Sequence, residues 1–269
     1  MKFGICCAPD ALGEPARLFD VMTEAGADYV EWGVGATMKS DEDFERLLAI
    51  VADASLKPEA FNGFIPGSHR ITGPDMNLQG ALDYASEAMR RCRALGADII
   101  VLGSGGARKL PDGWAPTRGL DQFETFCREL GPRAAEHNIT IAIEPLNKTE
   151  DNLINSVAAG AAIVDAVDHP NIRLLADFYH MHHDDEAVED AAKVGSRLVH
   201  THLADFGRVA PGLAEEGEAD FVGFFRALNA ANYDARCSFE GKVTDLAAQT
   251  KPILAHMKQR HAEAVKSSV

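Results

Sequence analysis

Eight short apolar runs, each trailed by a longer stretch with helical hydrophobic spacing, constrain this chain more than any other feature it carries. The runs read as strands at residues 2–7 (KFGICC), 28–33 (DYVEWG), 57–61 (KPEAF), 98–103 (DIIVLG), 139–144 (ITIAIE), 172–177 (IRLLAD), 198–203 (LVHTHL) and 236–240 (RCSFE). Helical patterns fall at 15–25, 41–54, 77–95, 120–137, 156–167, 184–195, 220–231 and 245–263. Ser40 with Asp43 beyond it, and Asp220 before FVGFFRAL, have the chemistry of helix starts, because a side-chain oxygen there accepts from an orphan backbone N–H. EAGADYVEWG and ALGADIIVLG share a Gly-Ala-Asp step in which Gly26 or Gly96 takes the left-handed conformation past a helix end. Alternating strands and helices give a parallel sheet, eight strands close a barrel, and 269 residues is close to the usual length of one. The expected fold is therefore α/β, a single (β/α)8 barrel domain over residues 1–269, with no Pro/Gly/Ser-rich linker to divide it. An open doubly wound sheet shares the alternation, but CCAPDALGEP after the first strand lacks both the GxGxxG and the P-loop patterns of its nucleotide-binding versions.

Parallel strands covered on both faces are nearly all apolar, so an ionisable residue at a strand end calls for a reason. Four successive strands carry one: Glu144 in IAIEP, Asp177 in LLADF, His202 in VHTHLAD and Glu240 in CSFEG. The steps of 33 (144 to 177), 25 (177 to 202) and 38 (202 to 240) residues are each about one βα unit, which sets the four at equivalent heights on neighbouring strands. Any one of them alone reads as a strand-end group paired with Lys or Arg; four in register point elsewhere. Three carboxylates and one imidazole brought together repel unless a positive charge joins them, and a divalent cation does so. Oxygen-rich ligation with one His suits Mn²⁺ or Mg²⁺, with Zn²⁺ and Co²⁺ as alternatives. Alternation by twos puts His200 one layer below His202 as a hydrogen-bonded core histidine, Ser238 below Glu240 and Ala142 below Glu144.

With these residues in place the chain resembles the xylose-isomerase-like family of sugar isomerases and epimerases, especially the ketose 3-epimerases of tagatose and psicose type and the hydroxypyruvate isomerases. The likeness covers the whole chain and is carried by IAIEPLNKTEDNLINSVAAGAAIVDAVDHPNIRLLADFYHMHHD, VHTHLADFGRVAPG and CSFEG. It implies a TIM barrel in which Glu144, Asp177, His202 and Glu240 bind one divalent metal ion, Mn²⁺ foremost. It also implies that Glu150, six after Glu144, His180, three after Asp177, and Arg208, six after His202, hold hydroxyl and carbonyl oxygens of the substrate. The first half is less diagnostic: Glu31 follows the second strand, Phe61 and Asn62 the third, and a GSGGAR loop ending in Arg108 the fourth.

Moving a carbonyl, or inverting the centre beside it, begins with removal of a weakly acidic α-proton. A metal chelating the carbonyl and adjacent hydroxyl oxygens stabilises the enediolate that forms, and a positioned carboxylate moving the proton contributes ~10²–10⁴-fold. Glu144 and Glu240 come from strands separated by two others and so flank the substrate. They are the expected acid/base pair, with Asp177 and His202 as ligands only. A ketose 3-epimerase is the expected activity; hydroxypyruvate isomerase, or a dehydratase of inosose or dehydroshikimate type, shares the first step. A non-catalytic sugar-binding barrel would not need two glutamates on its metal. An apurinic endonuclease would need further His ligands where GSGGAR has none, and a net charge of −15 opposes contact with a phosphate backbone.

The start, MKFGICCAPDALG, is too short in apolar residues for a secretory signal, and no run approaches the roughly 18 apolar residues of a membrane span. A cytoplasmic homo-oligomer, dimer or tetramer, is expected, with a small sugar as its partner and neither nucleic acid nor membrane. Cys6, Cys7, Cys92, Cys127 and Cys237 form no CxxC pair and read as reduced, mostly buried thiols without a nearby base. Arg108 reads either as an anchor for a carboxylate or phosphate or as a surface residue, and Trp32 and Trp114 either as pocket walls or as packing. His182, His183, Asp184 and Asp185, in MHHDDE, read as the opening of a solvated helix with acids at its N-terminus rather than as a metal cluster.

Overall fold

The β-branched and aliphatic runs pair in chain order and close on themselves: in the computed structural model, which describes residues 1–215 and 217–266, eight parallel strands form a closed barrel with β1 bonded to β8. They are β1 (Lys2–Cys7), β2 (Tyr29–Gly33), β3 (Pro58–Asn62), β4 (Ile99–Leu102), β5 (Thr140–Ile143), β6 (Ile172–Asp177), β7 (Leu198–Leu203) and β8 (Arg236–Phe239), each within one residue of expectation at either end. The helices are α1 (Pro15–Glu24), α2 (Asp41–Asp53), α3 (Leu78–Leu95), α4 (Gly105–Arg108), α5 (Pro116–Glu136), α6 (Val157–Val167), α7 (Phe178–His183), α8 (Asp190–Lys193), α9 (Phe221–Ala230) and α10 (Leu246–Lys266). Ser40 accepts from the N–H of Asp43 at 3.0 Å and Asp220 from that of Gly223 at 2.8 Å, as their sequence context predicts. Gly26 (φ 80°) and Gly96 (φ 110°) both take the left-handed conformation that lets a helix end turn into the next strand.

Period-two alternation divides the strands between two cores. Tyr29, Ala60, Ile99, Val101, Ala142 and Leu175 fill the barrel interior. Their neighbours Val30, Phe61, Ile100, Ile141 and Leu174 face outward into the larger core beneath the helices. At the N-terminal end of the barrel Arg236 binds Glu59 at 2.7 Å and Asp98 at 2.8 Å. The interior is thus sealed below by an ion network and filled in the middle with apolar side chains, and its buried acids and imidazoles collect at the C-terminal mouth.

One expected element takes a different form. Asp177 ends β6, and its Oδ1 accepts from the N–H of Tyr179 at 2.7 Å, so a helix starts at Phe178 without an intervening loop and ends at His183. His182 and His183 therefore close a helix rather than open one, and Asp184 and Asp185 follow it, the latter at φ 58°. Of the expected 184–195 helix only Asp190–Lys193 is α-helical. Further along, α5 begins four residues early (116 against 120), with Pro116 at the first helical position, where its missing N–H costs nothing. No helix among the described residues is long and apolar enough to cross a membrane.

Candidate functional site

The four strand-end residues meet. The N–H of Glu144 donates to Leu102 O at 3.2 Å and that of Glu240 to Leu203 O at 3.0 Å, so each continues its sheet ladder one residue past the strand and presents its side chain at the mouth. One ligand atom from each of Glu144, Asp177, His202 and Glu240 lies within 4.8 Å of every other. His202 Nδ1 stands 3.2 Å from Glu144 Oε1 and 3.7 Å from Glu240 Oε2. Three observations fit this set to a hard divalent cation. The donors are three carboxylates and one imidazole. Asp177 Oδ2 is buried without a hydrogen-bond partner, a state that costs free energy unless something else satisfies it. Gly103 leaves the room Glu144 occupies, since a Cβ there would stand 2.1 Å from Glu144 Oε2.

The two glutamates are driven apart. Burial pushes Glu240 up, and the Glu144 carboxylate adds to this against the pull of His202 and Arg208, so Glu240 is held above the ordinary carboxylate range. Burial opposes ionisation of Glu144 as well, but the hydrogen bond and charge of His202 outweigh it and hold Glu144 below that range. Paired titratable groups whose surroundings separate them in this way divide naturally into an acid and a base.

Glu150, His180 and Arg208 extend the same constellation outward. Arg208 donates to Glu240 Oε2, and through Nη1 to Glu150 Oε1 at 3.2 Å, with its guanidinium 5.1 Å from the centre of the Tyr179 ring. Its backbone is left-handed (φ 60°), an uncommon state for a bulky residue. Asp205, fully buried below it, secures the loop by accepting from the N–H groups of Phe206, Gly212 and Ala219 at 3.0, 2.8 and 2.9 Å. His180 Nδ1 accepts from the backbone N–H of Asn147 at 3.2 Å, which puts the proton of the neutral ring on Nε2. That Nε2 is buried, lacks a partner, and lies 3.6 Å from Asp177 Oδ2, so a donor is aimed into the cluster.

The sequence did not single out Asn147, and it offered Glu31 and Asn62 without a role. Asn147 is a hub: its side-chain amide bonds His180 at 2.8 Å and Glu150 at 3.1 Å, while its Oδ1 accepts from the N–H groups of Thr149 and Glu150. An Asn opening the polar run NKTE is an Asx-turn signal, and that was the clue available. Asn62 donates to Glu240 Oε1 at 2.8 Å. Glu31 lies inside β2 rather than after it, fully buried and bonded to His200 and His202 at 2.8 and 2.9 Å, which bears out His200 as a hydrogen-bonded core histidine. Burial works against the Glu31 charge, yet the two imidazoles hold its carboxyl well below the usual range.

Arg108 is neither a surface residue nor an anion anchor. It is fully buried against Asp151 at 2.8 Å and donates to the carbonyls of Leu102 and Glu144, because α4 turns its side chain back under the β4 and β5 ends. Trp32 is packing, in contact with Phe19 and Phe61 on the outer face of β2; Trp114 is half-buried beneath Arg118. Cys92, Cys127 and Cys237 are buried as expected. Cys6 does have an imidazole within reach, His202, but burial and then Glu31 push its thiol well up, away from nucleophilic character.

Residues 19–260 match the family described as xylose isomerase-like TIM barrel. The chain is 32% identical over 117 residues to the 3-dehydro-D-guloside 4-epimerase of Escherichia coli K12, a segment making up 43% of this chain and 44% of that protein. It is 28% identical over 240 residues to the L-ribulose 3-epimerase of Mesorhizobium japonicum, covering 87% of this chain and 77% of the relative. The crystal structure of a 3-keto-D-glucoside 4-epimerase from E. coli superposes with a TM-score of 0.81 over 96% of this chain and 99% of that one; at 22% identity this is a likeness of fold.

Proposed function

This chain belongs to the xylose isomerase-like TIM barrel family, and from that premise we propose that it is a metal-dependent epimerase of a ketose or related small polyhydroxy ketone, most readily a ketose 3-epimerase. Its named relatives support an enzyme of the sugar epimerase/isomerase type. Carbon 3 of ribulose and carbon 4 of a 3-dehydro sugar both adjoin a carbonyl, so both names describe the same chemical event. The observation that carries the proposal is the pair Glu144 and Glu240, brought into one cluster with Asp177 and His202 and shifted in opposite directions.

Glu144, Asp177, His202 and Glu240 would hold the divalent cation, Mn²⁺ before Mg²⁺, Co²⁺ or Zn²⁺, which supplies positive charge against the carboxylates and polarises the substrate carbonyl. The protein's own groups do the rest. In one direction Glu144 removes the α-proton from its face of the sugar. Glu240 returns a proton from the other face, and the centre inverts; in the reverse direction the two exchange roles. His180 donates from Nε2 to a substrate oxygen. Arg208 donates to another and Glu150 accepts from a hydroxyl, which together fix the sugar against the two glutamates.

The proposal is tested by incubating the Mn²⁺-restored protein with a panel of ketoses, a 3-keto glycoside, hydroxypyruvate and an inosose, following products by ¹³C NMR. Inversion at the carbon beside the carbonyl is expected. Formation of an aldehyde sugar or loss of water would replace epimerase with isomerase or dehydratase, and no turnover across the panel would overturn the proposal.

A further inference from the structure

Beneath the four proposed ligands lies a buried charge that the reaction does not use. Glu31 reaches into the barrel from β2 and accepts three hydrogen bonds: His202 Nε2 to Oε1 at 2.9 Å, His200 Nε2 to Oε2 at 2.8 Å and Ser238 Oγ to Oε2 at 2.6 Å. Tyr29 Oη lies 2.7 Å from Ser238 Oγ, and since the serine proton is committed to Glu31, the tyrosine is the donor there. These residues come from strands β2, β7 and β8, and all have 0% exposure. An anion this deep is costly unless hydrogen-bonded on every side, and here it is. As a metal ligand His202 would be a neutral imidazole, which carries one N–H. With that proton on Nε2 facing Glu31, the Nδ1 lone pair of His202 is the one turned toward Glu144 and Glu240.

We propose that Glu31 is a positioning residue for the metal centre: it holds His202 in the tautomer and ring orientation that leave Nδ1 free to bind the cation, while His200 and Ser238 fix Glu31 itself. This rests on the metal-dependent reading given above and deepens it. Glu31 stands outside the four-residue cluster, with its carboxylate oxygens taken up by His202, His200 and Ser238. Carboxylates behind a ligating histidine raise its basicity and set its direction, and their loss weakens metal binding by about 10–100-fold.

The test is a Mn²⁺ titration of metal-free wild type, Glu31→Gln, His202→Ala and the double variant, with free Mn²⁺ read by EPR and folding by circular dichroism. Wild type is expected to take up one Mn²⁺ per chain and E31Q to bind it about 10–100-fold more weakly. E31Q should add little further loss once His202 is gone, whereas a merely structural Glu31 would weaken both backgrounds alike. Binding by E31Q within twofold of wild type overturns the inference. Wild-type protein that takes up no Mn²⁺ overturns the metal reading and this inference with it, so the two failures are told apart. Should E31Q fail to fold, ¹⁵N-histidine NMR of wild type loaded with diamagnetic Mg²⁺ decides: His202 protonated on Nε2 supports the inference, and protonated on Nδ1 overturns it.

Discussion

A Cβ on residue 103 would overlap the carboxylate of Glu144, with 2.1 Å to Oε2, so the glycine there is a requirement of the site rather than of the turn. Gly103→Ala is expected to displace Glu144 and weaken Mn²⁺ binding by about tenfold or more, in line with what supporting groups contribute at metal sites. The melting temperature of the metal-free protein should change little, because Ala is small and the displaced group lies at the mouth. EPR titration beside a thermal melt checks both, and unchanged affinity would mean that Glu144 has room to move. Residues of this kind mark the limit of what the sequence discloses. Glu144, Asp177, His202 and Glu240 were legible because each sits at the end of an apolar strand where a charge is out of place. Gly103, Asn147 and the role of Glu31 were not, because each acts through a partner on another segment: Asn147 on His180, 33 residues on, and Glu31 on His202, 171 residues on.

At the scale of elements, the segment after β4 and the loop after β5 that carries both Glu144 and Glu150 are tied by one buried ion pair. Arg108 at the end of α4 joins Asp151 just beyond Glu150 and also donates to the carbonyl of Glu144, while Asp151 Oδ2 accepts from the N–H of Ile154 at 3.1 Å. Arg108→Met leaves Asp151 charged and unpaired in the interior and should destabilise the protein by about 3–5 kcal/mol. R108M/D151N, in which the amide oxygen can still accept from Ile154, should recover part of that loss; urea denaturation of the three proteins reads both. Strands were legible to a residue because their period is two and their length short. Helix α7 was missed because Asp177 serves as strand end and helix cap at once, so no loop residues announce the change. Arg108 was misjudged for a related reason: a four-residue helix has too little pattern to reveal which way its last side chain points.

For the whole molecule, closure in chain order is what turns four distant positions into one cluster, and it separates the ion network at the N-terminal end from the acids and imidazoles at the mouth. That much followed from counting strands, because a closed parallel barrel leaves its strand ends only one place to converge. The pairing of Glu144 with Glu240 as acid and base was already an expectation from the sequence; what only the structure adds is that His202 Nδ1 stands nearer Glu144, at 3.2 Å, than Glu240, at 3.7 Å. The central claim is that this cluster, with a divalent cation, moves a proton on a carbon next to a carbonyl. Its most direct measurement is solvent deuterium incorporation into a ketose, followed by NMR, for metal-stripped protein, the same protein restored with Mn²⁺, and Mn²⁺-loaded Glu240→Gln. The prediction is label at the carbon beside the carbonyl only in the restored protein, with formation of the labelled epimer slowed at least ~10²-fold in E240Q. Equal exchange without metal, epimer formed by E240Q at the wild-type rate, or no label in any ketose tried would contradict it.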